Sequence, residues 1–215
     1  MDDDRNVTCY GLLIRQQSGQ DVRAATRSAL ADRRDDDEGC QMLAAAMVGA
    51  RQLDNNELWL NARLALAANR PALTRSVLSL ISADAAGAFD SILDNPVRFL
   101  ATKAGSRDRA AAELATLALM RAASKDISYT SETLSSRWDK ALPADLAGWA
   151  WAALGRQSAF KLESEAVAYY DRADYFAARA QPQRKAGGGL VVDWPEETLA
   201  WRIRALLRQA YSNDQ

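Results

Sequence analysis

The stretch from Glu57 to Ile81, ELWLNARLALAANRPALTRSVLSLI, reads as two short helices folded back on each other around Asn69-Arg70-Pro71. Pro71 suits the first turn of a helix, where its missing N–H costs nothing, and it cannot extend the helix before it. Behind it, Leu73, Val77, Leu80 and Ile81 fall at i, i+4, i+7 and i+8, one apolar stripe. The preceding helix carries Leu60, Leu64 and Ala67 on one side and Trp59, Ala62 and Leu66 on another. A helix apolar on two sides needs neighbours on two sides. A stack of helical hairpins, each unit covering the next, meets that demand.

The same template recurs along the chain at irregular spacing. A first helix is expected over Val7–Gln17 with Tyr10, Leu13 and Ile14 inward, ending near Ser18-Gly19. A second is expected over Gln20–Asp32 with Val22, Ala25, Ala29 and Leu30. The charge run Arg33–Glu38 reads as a solvated loop or helix start, its acids lying where the next helix dipole favours them. Gly39–Arg51 then places Cys40, Ala44, Met47 and Val48 in register. Asp84 is expected to cap a helix through Leu93, stopped by Asp94-Asn95-Pro96, and Pro96 opens a further turn or two broken at Gly105.

Ser106–Ala123 is a long Ala-packed helix around Leu114, Leu117 and Leu119, while Tyr129–Ser136 reads as either loop or short helix. Pro143 opens a helix with Leu146, Trp149, Ala150 and Ala153, and Leu162, Ala166, Tyr169 and Tyr170 repeat the stripe. Residues 181–194, with three consecutive glycines at Gly187-Gly188-Gly189, read as a flexible loop. Pro195 opens a last helix with Leu199, Ile203, Leu206 and Leu207 in register. The expected fold is all-α, a right-handed α-solenoid or superhelix of antiparallel, TPR-like hairpins forming one domain over residues 1–215.

Composition narrows the function. At 215 residues and 48% apolar content, the chain can bury a sizeable core. Its net charge of −1 and scattered cations leave no phosphate-binding face, so nucleic acid is not expected as a partner. No apolar run approaches the roughly 20 residues that cross a bilayer. The start, Met1-Asp2-Asp3-Asp4, is acidic and lacks the order of a signal peptide, as expected of a cytosolic protein or an excised segment. With no histidine, Ser-His, Cys-His and histidine-bearing zinc sites are ruled out. No cofactor or metal site is expected, since the triple glycine lacks the Lys and strand of a phosphate loop. Cys9 and Cys40 are either a free pair or one disulfide stapling the first helix to the third.

Several marked residues in order give the chain a likeness. Thr8-Cys9-Tyr10 opens a helix pair ahead of Cys40, and Leu64-Ala65-Leu66-Ala67-Ala68-Asn69 closes a helix before its partner. Asn95-Pro96 precedes a short run and the long Ala-rich helix, and WPEETLAWRIRALLR fills Trp194–Arg208. From about Thr8 to Tyr211 this resembles the superhelical, non-catalytic U-type domain of the soluble lytic transglycosylases, bacterial lyases that cut cell-wall peptidoglycan. The resemblance implies a periplasmic setting, a Cys9–Cys40 disulfide in that oxidising compartment, and a chain that is part of a longer enzyme. It further implies glycan strands as partners by way of a separate lysozyme-like domain, absent here, that cleaves the MurNAc-GlcNAc bond. A missing hairpin partner after Gln215 is then expected to leave Trp201, Ile203 or Leu207 partly uncovered.

In that family the catalytic Glu lies in an Arg-x-Glu-Ser-x-Phe signature. Arg156-Gln157-Ser158-Ala159-Phe160 looks like it with the Glu deleted, and Glu163-Ser164 follows. A general acid needs a carboxyl with a raised pKa in a cleft. Glu163 instead falls beside a packed apolar stripe, as on the outer face of a helix, and no catalytic residue is carried over. Exposed aromatics could stack on sugar rings, with Trp138, Trp149, Trp151, Trp194 and Trp201 as candidates, although aromatics at helical spacing more often fill a core. The alternative is a TPR-like adaptor gripping a peptide in its concave face, a flavour carried by EAVAYYDRA at Glu165–Ala173.

Overall fold

In a computed structural model, which describes residues 3–31, 37–102, 108–181 and 192–213, every regular element among the described residues is helical. The chain divides into two compact units, Met1–Gly87 and Ala88–Gln215. The first contains α1 (Asp3–Gln17), α2 (Arg23–Ala31), α3 (Glu38–Gly49), α4 (Asn55–Ala67) and α5 (Pro71–Ile81). Ala83–Asp94, α6, carries the chain from the first unit into the second.

The decisive hairpin forms as its sequence dictates. Asp54 and Glu57 make a reciprocal capping box, each side chain accepting the other's backbone N–H at 2.9 Å. At the far end of α4, Asn69 takes the left-handed conformation at φ +56, and the N–H groups of Asn69 and Arg70 reach back to Leu66 and Ala65. Pro71 then starts α5. On α4, Leu58, Trp59, Ala62, Arg63, Ala65 and Leu66 are buried while Leu60, Leu64 and Ala67 are half-buried, so most of its circumference is covered.

That reversal is a repeated device. Gly19, Arg51 and Leu162 also occupy the left-handed region, at φ +79, +56 and +63. In all four cases the left-handed residue and its successor donate back to carbonyls three and five positions earlier, at 2.8–3.1 Å. This double bond satisfies carbonyls that a helix end would leave orphaned. Asn and Gly tolerate the conformation, whereas Arg51 and Leu162 strain against it.

In the first unit, α1 packs on α3 through the Cys9–Cys40 disulfide, with Cα atoms 4.9 Å apart. Both cysteines are fully buried in a core with Leu12, Leu13, Leu43 and Met47. Next to the bridge Gly39 permits the close approach, because a Cβ there would meet Asn6 O and the Tyr10 ring at 2.9 Å. The inward face of α1 is therefore Cys9, Leu12 and Leu13, and two residues expected inward, Tyr10 and Ile14, are 39% and 63% exposed. On α2, Ala25 is exposed and Thr26 takes the buried position between Val22 and Leu30. Asp37, expected in a solvated run, is buried and pairs with Arg5 at 3.5 Å. Of the same run Glu38 is exposed at the start of α3, and Arg33–Asp36 lie outside the described residues.

In the second unit α7 (Pro96–Thr102) and α8 (Arg109–Lys125) precede α9 (Ile127–Thr133). The chain continues through a π-helical segment, Leu134–Trp138, and the single turn α10 (Asp139–Ala141). It ends in α11 (Ala144–Phe160), α12 (Ala166–Ala180) and α13 (Glu196–Asn213). Ser82 rather than Asp84 caps α6, its hydroxyl accepting the Ala85 N–H at 3.0 Å. The ambiguous Ser/Thr-rich stretch resolves as helix, capped by Asp126 on the Tyr129 N–H. The expected break at Gly105-Ser106 lies outside the described residues.

Helix α11 is the hub, packing on α8, α9, α12 and α13. Leu146 to Ala152 is a run buried without interruption, followed by Leu154, Gly155, Ser158 and Ala159. A Cβ at Gly148 would meet Ala173 O at 3.3 Å, and one at Gly155 would press the Tyr170 ring at 3.1 Å. Small residues thus let α12 lie close along α11, and Ala159, Ala166, Tyr170 and Ala205 form one cluster.

Two outcomes follow for stability. Replacing both Cys9 and Cys40 by Ser should lower the unfolding free energy of the first unit by about 3–4 kcal/mol, the loop-closure value for a separation of 31 residues, measured by urea titration. Leu162→Gly should raise the stability of the second unit by about 1 kcal/mol, because it relieves a left-handed φ at a side chain that is 67% exposed. Thermal melts of wild type and variant check the sign.

Candidate functional site

Four of the tryptophans considered for sugar stacking are covered by protein. Trp138, Trp149 and Trp151 are 2–3% exposed and Trp194 is 6% exposed. Burying an indole calls for a partner for its N–H, and two of the four have one. Trp149 Nε1 donates to Asp193 at 2.7 Å, and Trp151 Nε1 donates to Asp139 at 2.7 Å. Asp139 also accepts from Arg172 of α12 at 2.5 Å, while Tyr169 lies against the Trp151 ring at 5.7 Å between centroids. Trp138 is stacked under the Arg137 guanidinium at 4.9 Å. These aromatics tie α10, α11 and α12 together.

Trp201 differs. It is half-buried on α13, meets Phe160 edge to face at 5.4 Å, and carries the Arg204 guanidinium 4.8 Å above its ring. Phe160, at the last turn of α11, is 64% exposed. Beside this pair Arg156 of α11 bridges to Glu197 of α13 at 2.9 Å. An aromatic corner flanked by an ion pair offers what a sugar ring uses, an apolar face next to polar groups. Phe160 was not among the sequence candidates, since its position at a helix end gives no exposure signal.

The signature-like segment falls inside packing. Arg156 makes the bridge to Glu197, Ser158 and Ala159 are fully buried, and Phe160 forms the corner. Glu163 lies not on a helix face, as expected, but in the reversal between α11 and α12, its N–H bonded to Ser158 O at 3.0 Å. Leu162, expected in an inward stripe, is its exposed left-handed neighbour, whereas Ala166 and Tyr170 are buried as expected. Nearby Glu165 has its carboxyl held below the usual range by a hydrogen bond with Ser164.

Two polar contacts, one buried and one half-buried, lock α12 to α13. The Tyr170 hydroxyl donates to Thr198 O at 3.0 Å, and burial pushes its pKa upward despite Arg156 and Arg202 nearby. Asp174 pairs with Arg202, yet burial outweighs that cation and holds its carboxyl above the ordinary value. On α13 the buried residues are Thr198 and Ala205, and the expected inward stripe is open: Ile203, Leu206 and Leu207 are 58%, 43% and 55% exposed. Among the described residues no three acids or cysteines converge as metal ligands, and no helix is long and apolar enough to cross a membrane. The first unit has an apolar pocket among Leu30, Leu58, Leu64, Leu73 and Val77, with Asn61 and Arg70 at its edge. Of the loop expected over 181–194, residues 182–191 with the triple glycine lie outside the described residues.

No family model and no curated protein matches the chain. Among solved structures, an inactive mutant of the lytic transglycosylase Slt from Pseudomonas aeruginosa is similar in fold, with a TM-score of 0.60 at 20% identity over 97% of this chain. The chain spans 32% of the length of that protein.

Proposed function

We propose that the chain is a non-catalytic superhelical scaffold, in which stacked helix hairpins form a stiff curved wall serving a peptidoglycan lytic transglycosylase of the periplasm. The observation that carries this reading is the fold likeness to Slt, which takes in 97% of the chain while covering a third of that protein. Three features support it. Of the residues that resemble the transglycosylase signature, Ser158 and Ala159 are buried and Arg156 is paired with Glu197, which fits bond cleavage by a lysozyme-like domain elsewhere. The Cys9–Cys40 bridge suits an oxidising compartment. Repeated left-handed reversals favour antiparallel hairpins, the building block of such a wall. Glycan strands are the partner of the complete enzyme, and the Phe160–Trp201 corner is where this segment would meet a sugar ring.

Incubation of purified chain with peptidoglycan sacculi should release no soluble muropeptides above buffer, measured by liquid chromatography and mass spectrometry. Release that disappears in Glu163→Gln would make the chain an enzyme and overturn the scaffold reading. Small-angle scattering should give a radius of gyration clearly above the ~17 Å of a compact globule of this length. A value at the globular limit would remove the superhelix. Export to the periplasm should yield a mass two hydrogens below the reduced chain, and free alkylatable thiols there would favour a cytosolic adaptor instead.

A further inference from the structure

We propose that Met42 is an oxidation site, whose thioether takes an oxygen atom from a peroxide and is returned to methionine by a thiol-dependent sulfoxide reductase. The inference stands apart from the scaffold reading, because it rests on how the sulfur-bearing residues are shielded. The sequence holds two cysteines and four methionines. Cys9 and Cys40 are joined to each other and fully buried. Met47 is fully buried and Met120 is 6% exposed, whereas Met42 is 48% exposed. Met1 lies outside the described residues. Among the described residues Met42 therefore carries the one thioether on an open position.

Helix geometry explains the contrast. At 100° per residue, α3 turns Cys40, Leu43, Ala44 and Met47 to one side, and all four are buried in the core of the first unit. Met42, Ala45 and Gly49, at i, i+3 and i+7, share the opposite side, and all three are exposed. A Cβ at Gly49 would meet nothing within 4 Å, so among the described residues nothing lies over that end of the stripe. An oxidant reaches Met42 along this open side, while the core face of the same helix keeps Met47 from it.

The chemistry balances with a peroxide as the only co-reactant. A sulfur lone pair attacks one oxygen of hydrogen peroxide, the O–O bond breaks and an S–O bond forms. The leaving hydroxide takes the proton from the transferred oxygen and departs as water, so sulfur is oxidised and the peroxide reduced. In the return reaction a dithiol gives up its hydrogens, becomes a disulfide, and carries the oxygen away as water. At Met42 the new polar oxygen meets solvent. On Met47 it would enter the core as an unsatisfied acceptor. Oxidation at Met42 thus leaves the first unit folded.

The test exposes the whole 215-residue chain to hydrogen peroxide and follows it by intact mass and tandem mass spectrometry of its peptides. Met42 and Met47 share one tryptic peptide, so fragment ions place the oxygen between them, and Met1 reports on a peptide of its own. In the folded chain Met42 should oxidise about tenfold or more faster than Met47 and Met120, with the far-ultraviolet circular dichroism unchanged. In urea the three should oxidise at similar rates, which ties the preference to the fold. Met42→Leu should remove the fast phase, and sulfoxide reductases of both epimer specificities with a dithiol should strip the oxygen from Met42. The proposal is overturned by a preference below about tenfold, by one that persists in urea, by loss of helix on oxidation, or by a sulfoxide that the reductases leave in place.

Discussion

A helix that is apolar around most of its circumference cannot rest at a surface, and α11 is such a helix. Seven consecutive residues, Leu146 to Ala152, are buried, so neighbours must close on it from several directions. The rest of the second unit is that closure: α8 and α9, the close seam with α12, and the crossing of α13. Gly148 and Gly155 set how near α12 can come, because a side chain at either position would strike backbone or the Tyr170 ring. Trp149 and Trp151 complete the enclosure by turning their N–H groups onto Asp193 and Asp139. A polar handle lets a large ring lie inside without an orphaned donor.

Much of this was legible in the sequence, because helix punctuation is local. Pro71, Asn95-Pro96, Pro143 and Pro195 mark starts, and Gly19 and Asn69 mark ends, all through backbone preferences that need no partner. Arg51 and Leu162 were not legible as reversals, since neither residue type signals a left-handed conformation. The facing of α1 and α13 misled for a related reason. Reading by hydrophobic period selects the largest apolar residues, so Tyr10 and Ile14, or Ile203 and Leu207, are picked as inward. Where two helices approach closely the smaller residues win, and Cys9 on α1 and Ala205 on α13 occupy the buried sides.

The candidate site was legible only in part. The spacing of Cys9 and Cys40 left a bridge and a free pair both open, and only the likeness to the transglycosylases pointed to the bond that the structure contains. Among the tryptophans, period and composition could not separate a core ring from a surface ring. That distinction depends on which helix lies opposite. For Trp201 the deciding neighbour is Phe160, more than forty positions away in the chain.

The four reversals have a consequence for divergence. The same pair of backbone bonds is closed over glycine, arginine, asparagine and leucine alike, so the joint admits different side chains, with strain where the residue is Arg51 or Leu162. Under such a rule, substitutions can accumulate at the corners while the path of the chain is kept. A fold specified this way can be shared by sequences of which few letters match, and 20% identity alongside a similar fold is an instance of it.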